Sequence, residues 1–115
     1  MKRIEKPWGE ELWIAYENGI YAGKLIGVLA GQKLSKQYHK KKHETLYLLD
    51  GESEVLYNDE TIYMRAKDIL EIKPGDIHRI EAITDCVFIE FSSPELDDVV
   101  RIEDDYGRCI DSNSD

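Results

Sequence analysis

Turn signals cut this chain into short pieces along its whole length, at intervals of roughly 8–12 residues. Asn18-Gly19 and Asp50-Gly51, both hairpin signals, Asn58-Asp59-Glu60, Pro74-Gly75 and Thr84-Asp85 are the sharpest, and Ala30-Gly31 breaks another run. Between them lie short runs with strand character at 11–16, 20–29, 44–49, 53–57, 61–64, 69–72, 78–82 and 86–92. A short polar run through Gln37 and His39 makes about nine strands in all, a spacing that predicts an all-β sandwich or barrel. The single helix expected is at 95–102, where Pro94 precedes an acidic first turn. Residues 1–9 read as an extended arm, since Pro7 and Gly9 prevent a regular helix, and residues 109–115 as a loose polar tail.

A chain of 115 residues suffices for one domain, 1–115, with a real core. No apolar run approaches the roughly 20 residues that cross a bilayer, and the N-terminus lacks an apolar targeting stretch, so a cytoplasmic protein without a membrane partner is expected. Cys86 sits in an apolar run and reads as a buried free thiol. A bridge to Cys109 is the less favoured alternative. A net charge of −9 argues against a nucleic-acid partner, because such binding rests on neutralising phosphates. The charge is uneven. Lys33, Lys36, Lys40, Lys41 and Lys42 crowd one segment, while the chain after Glu95 is acidic. The lysine island reads either as a solvated loop or as an attractor for a small anion.

Alternation along strands then sorts side chains to faces. Gln37 and His39 share one face, as do Glu44, Leu46 and Leu48, and as do His78 and Ile80. Gln37, His39, Glu44 and His78 read as the ligands of one metal ion inside the barrel. His43 faces outward from its neighbour Glu44. Trp8 and Trp13 read as packing residues, and Tyr47 and Tyr57 as barrel wall. Glu90 interrupts the apolar run Val87-Phe88-Ile89-Glu90-Phe91. A buried carboxylate needs a reason, so Glu90 either pairs with a cation, Arg101 being one option, or lines the cavity as a base.

The spacing Gly31, Gln37, His39, Glu44, Gly51 closely resembles the first motif of the cupin superfamily, with Gln37 where most members have histidine. The stretch around Gly75 and His78 resembles the second motif. Lys6-Pro7-Trp8-Gly9, Leu34 to His39 and the closing DDVVRIEDDYGR, ending at Arg108, resemble the C-terminal cupin domain of type II phosphomannose isomerase / mannose-1-phosphate guanylyltransferases. The resemblance runs from Lys6 to Arg108. It implies a small jelly-roll barrel, or double-stranded β-helix, and a divalent metal, zinc first, with Mn, Fe, Ni or Co as options. It covers no guanylyltransferase domain and so implies no nucleotide-sugar synthesis. Lys42 stands where the family usually has arginine, keeping the charge but losing the planar fork that grips phosphate.

The expected activity is that of a mannose-6-phosphate isomerase, moving a proton between C2 and C1 of an open-chain sugar. The expected roles are Glu90 as the base and Lys36, Lys42, Arg101 and Arg108 as the phosphate grip, with a small anionic sugar as the partner. The alternatives are a metal cupin of other chemistry, dioxygenase or epimerase-like, and a non-catalytic sugar or nucleotide-sugar binding module. A homodimer is expected, with the arm as one means of reaching a partner.

Overall fold

A computed structural model describes residues 2–17 and 19–106. They form β1 (Lys2–Lys6), β2 (Gly9–Glu17), β3 (Tyr21–Val28), β4 (Lys36–Tyr38), β5 (Glu44–Asp50), β6 (Glu52–Tyr57), β7 (Glu60–Arg65), β8 (Ile69–Ile72), β9 (His78–Ala82), β10 (Cys86–Ser92) and β11 (Val100–Glu103). One sheet has the order β1-β2-β3-β10-β5-β8 and the other β11-β4-β9-β6-β7, with every pairing antiparallel. The all-β expectation holds.

Three expectations are corrected. The segment expected as a helix, 95–102, holds turns and then the start of β11, which pairs with β4. Its β-branched Val99, Val100 and Ile102 fit a pleated edge better than a helix. The N-terminal arm is part of the barrel wall. Its residues 2–6 pair with β2 of the same chain, from Lys2 opposite Trp13 to Lys6 opposite Gly9. Asp50-Gly51 joins no hairpin, because β5 pairs with β10 and β8 while β6 pairs with β7 and β9. The turn there carries the chain from one sheet to the other. Gly51 has φ 99°, and a Cβ on it would lie 2.3 Å from the Asp85 carbonyl oxygen, so only glycine fits that corner.

The interior between the sheets has two ends of different chemistry. At one end Trp8, Val28, Leu48, Val55, Met64 and Phe88 are almost fully buried and form an apolar core. Cys86 closes this end as a free thiol, donating to the carbonyls of Glu52 and Thr84. Further along the same strands the inward residues turn polar: Lys24 on β3, Glu90 on β10, Glu44 on β5 and His78 on β9. Period-2 alternation therefore persists, but one half of the inward face holds charge.

Candidate metal centre

In the five-stranded sheet one row of inward residues crosses four strands. Tyr57 lies opposite His78, His78 opposite Gln37, and Gln37 opposite Arg101. His39 follows two residues after Gln37 and shares its inward face. From the facing sheet Glu44, at the start of β5, brings its carboxylate between the two imidazoles. Its Oε1 lies 3.8 Å from His39 Nε2 and 3.7 Å from His78 Nε2. The imidazole centroids are 5.1 Å apart.

Each imidazole is held from behind by an aspartate backbone carbonyl. His39 Nδ1 donates to Asp98 O at 2.6 Å and His78 Nδ1 to Asp76 O at 3.0 Å. A carbonyl only accepts, so Nδ1 carries the proton, and in the neutral ring Nε2 turns a lone pair inward. Two lone pairs and a carboxylate oxygen facing one another across less than 4.8 Å are electron-rich and call for a cation. Ligand bonds of about 2.1 Å converging tetrahedrally place donors roughly 3.4 Å apart, and the two Glu44–imidazole separations of 3.7 and 3.8 Å come within a few tenths of an ångström of that. His39, Glu44 and His78 thus fit a divalent metal, and Gln37 lines the same cavity.

Asp98 and Asp76 are the positioning residues that sequence reasoning left without a role. The Asp98 carboxylate accepts from the backbone amides of Lys40, Lys41 and Lys42, fixing the loop between His39 and Glu44. Those three amides hold its carboxyl below the usual range against the upward push of partial burial. Asp76 accepts from Tyr57 Oη, Asn58 Nδ2 and Lys73 N, fixing the turn before His78. The available signals were the Pro74-Gly75-Asp76 turn two residues before His78 and the acidic pair in the closing motif.

The cations and Glu90 are arranged differently from the simplest expectation. Lys42 is buried rather than poised on a mouth loop. Its Nζ lies 3.0 Å from Glu44 Oε2 and 3.0 Å from Glu90 Oε2. The cation meeting Glu90 is therefore Lys42, not Arg101, with Lys24 behind it at 4.0 Å. Lys24 in turn meets Glu11 at 3.2 Å, and Lys6 meets Glu11 at 3.9 Å. A ladder of alternating sign, Lys6–Glu11–Lys24–Glu90–Lys42–Glu44, crosses the interior. Lys36 turns away from Gln37 and pairs with Glu103 at 3.2 Å, outside the cavity. Arg101 is buried in the row beside Gln37. Arg108 lies outside the described residues, as does Cys109. His43 faces outward, as expected, and meets Glu71.

The ladder pushes the two central carboxyls apart. Burial pushes Glu44 up, but Lys42 and the two imidazoles outweigh it and hold Glu44 well below the usual range. Burial and the Glu44 charge raise Glu90 against the opposing pull of Lys42 and Lys24. His39 loses affinity for its proton through burial but gains more from Glu44, so its pKa rises above 6.5. The cavity among these groups is about 20 Å³, room for one ion or water and not for a sugar.

The motif pattern of the family described as "Mannose-6-phosphate isomerase C-terminal" matches residues 1–104.

The chain belongs to the mannose-6-phosphate isomerase C-terminal family.

Two relatives of this family member carry the names of sugar-nucleotide and polysaccharide proteins. It is 30% identical over 116 residues to the xanthan biosynthesis protein XanB of Xanthomonas campestris, covering 93% of this chain and 24% of that protein. It is 31% identical over 113 residues to the mannose-1-phosphate guanylyltransferase ManC of Salmonella typhimurium, covering 93% and 23%. The chain thus spans about a quarter of the length of these curated relatives. The cupin domain of Schizosaccharomyces pombe Cnp3 superposes with TM-score 0.68 at 17% identity, over 74% of this chain and 64% of that one. The fold of this family member is that of a cupin. No helix among the described residues is long and apolar enough to cross a membrane.

Proposed function

We propose that this domain binds one divalent metal ion, zinc in the first instance, and isomerises a sugar phosphate of the mannose-6-phosphate type. The observation that carries the metal reading is the pair of imidazoles anchored at Nδ1 with both Nε2 atoms turned on Glu44 Oε1. Gln37, His39, Glu44 and His78 are the proposed ligands. The isomerase reading is supported by the family, which is described by that activity.

When bound, the cation supplies Lewis acidity to a sugar's carbonyl and neighbouring hydroxyl oxygens. Glu44, held below the usual carboxylate range, remains anionic and serves as ligand. Glu90, raised by burial and by Glu44, is the group suited to take a proton from C2 and return it to C1. Lys42 holds Glu90 in place and balances both carboxylates, and this replaces the phosphate grip first expected of it. Arg101, in the row beside Gln37, is the candidate within the interior for an anionic group. The cavity has no room for a sugar, so turnover requires the protein around it to open, and segment 93–99, which meets His39 through the Asp98 carbonyl, is the proposed moving part. It is tied to the barrel by Asp98 and by Ser93, whose amide donates to His43 O and whose Oγ accepts from His43 N.

The small cavity favours a second reading, a metal cupin of other chemistry or a binding module that holds a sugar only at its rim. Elemental analysis of the purified chain, run beside a coupled mannose-6-phosphate isomerase assay, separates these. Stoichiometric metal with turnover supports the isomerase. Glu90→Gln should then abolish turnover while metal stays bound, and retained turnover would remove Glu90 from the mechanism. Stoichiometric metal without turnover favours the second reading. Absence of metal after reconstitution overturns both metal readings and leaves the metal-free binding module.

A further inference from the structure

The outward face of the six-stranded sheet carries an unbroken apolar row. Leu12 lies opposite Leu25, Leu25 opposite Ile89, Ile89 opposite Tyr47, and Tyr47 opposite Ile69. The row spans five strands, from β2 to β8. In the neighbouring row Gly23 lies opposite Phe91, and Phe91 opposite Thr45. Antiparallel sheets with one free face normally turn polar residues to the solvent. Here 34% of all residues are charged, yet charge reaches this face at its rim, at Arg3 and Glu5 on β1, Glu10 and Glu17 at the two ends of β2, Asp50 and Glu71.

We propose that this face is the contact surface for a second copy of the chain, packed sheet against sheet about a two-fold axis. Ile69 is 66% exposed, Phe91 56%, Tyr21 52% and Ile14 49%. With the half-buried residues of the central row, the apolar face offers on the order of 700 Å², close to the roughly 800 Å² per partner that a stable interface covers. Its anatomy matches too: aromatic and aliphatic residues at the centre, charge at the rim. The protruding Phe91 side chain stands on the same face as the central row, so in an isologous pair each copy offers the surface it meets. A partner of opposite charge is not what an apolar centre selects, and a chain carrying −9 associates with itself only where its charges are kept apart. The face lies on the reverse of the sheet from the metal centre, so the pair covers none of the proposed metal donors. This inference is independent of the metal reading.

Sedimentation velocity of the full chain across micromolar concentrations tests it. The wild type should sediment as a dimer. Phe91→Glu and Ile69→Glu, each at an exposed position, should sediment as monomers and weaken association at least tenfold, while the far-ultraviolet circular dichroism stays unchanged. Tyr63→Lys, on β7 of the other sheet, should leave the dimer intact. A wild type that stays monomeric at every concentration overturns the proposal. So does a dimer that survives both face variants, or one that Tyr63→Lys alone dissociates.

Discussion

On β3 and β10 the neighbours Lys24 and Leu25 point to opposite faces of one sheet, as do Glu90 and Ile89. The charged member of each pair is the buried one, and the apolar member is partly open to solvent. Elsewhere on the same strands the ordinary order holds, with Phe88 and Ile26 inside. The lesson is that a face is built for what covers it. The inner half-face is covered by imidazoles and lysines and therefore carries partners for them. The outer face carries none and therefore requires an apolar cover. A buried charge survives only when paired, and each charge in the ladder has a neighbour of opposite sign within 4.0 Å.

The largest expected effect comes from removing the central cation. Lys42→Met leaves Glu44 and Glu90 facing each other in a dry interior and should cost about 3–5 kcal/mol in urea unfolding of the metal-free protein. Lys42→Met combined with Glu90→Leu should recover most of that loss, because an apolar replacement of a buried pair is close to neutral. A recovery absent in the double variant would break the idea that pairing alone keeps the inner face stable. Zinc should raise the melting temperature of Lys42→Met more than that of the wild type, since the metal then supplies the missing positive charge.

The next effect is on the donors. His78→Ala removes an imidazole and should lower metal affinity at least about a hundredfold by competition with a chelator, with the dimer retained. Loss of both metal and dimer together would show that the two faces are coupled through the sheet.

A smaller effect follows from pH. The folded pKa of His39 is raised above its ordinary 6.5, chiefly by Glu44 acting against burial. In the metal-free protein the protonated imidazole therefore adds stability that is full below about 6.5 and is lost as pH rises through the folded value. Metal affinity runs the other way, because the same proton occupies the ligand atom, and should rise over that window. Melting curves of the metal-free protein and a metal titration across the same pH series check the two signs together.

The smallest expected effect is on the outer face. Phe91→Ser should change the monomer's unfolding free energy by no more than about 0.5 kcal/mol, because the ring is already largely in solvent. Measured at concentrations where the wild type is monomeric, a loss several times larger would mean that the ring packs within its own chain.

Much of the barrel was legible because turns and alternation are local. Asn58-Asp59-Glu60 does close the hairpin of β6 and β7, and β2 pairs with β3, the two strands that follow one another across Gly19. Asp50-Gly51 misled, since a turn fixes a change of direction but not which strand lies beside the next one. The segment 95–102 misled because an acidic start after Pro94 suits a helix as much as a loop. What made it a strand was the free edge of β4, a partner distant in sequence. At the site, alternation placed Gln37 and His39 on one face, and the structure puts both on the cavity with Glu44 and His78. Lys42 shows the limit. Counting two residues back from Glu44 would turn it inward, but only the neighbouring Glu90, from a strand nearly fifty positions away, explains why an ammonium is stable there.

The sequence by itself determined the short strands, the inward face of each and the donors it would carry, because these follow from backbone periodicity and turn chemistry within a few residues. The tertiary structure decided which strands are neighbours, that the Asp98 carbonyl holds His39, which cation stands between Glu44 and Glu90, and that a row of apolar side chains aligns across five strands. Each of those rests on register between segments far apart in the chain. Register is set by the packing of the whole barrel and leaves no mark in any one stretch of sequence.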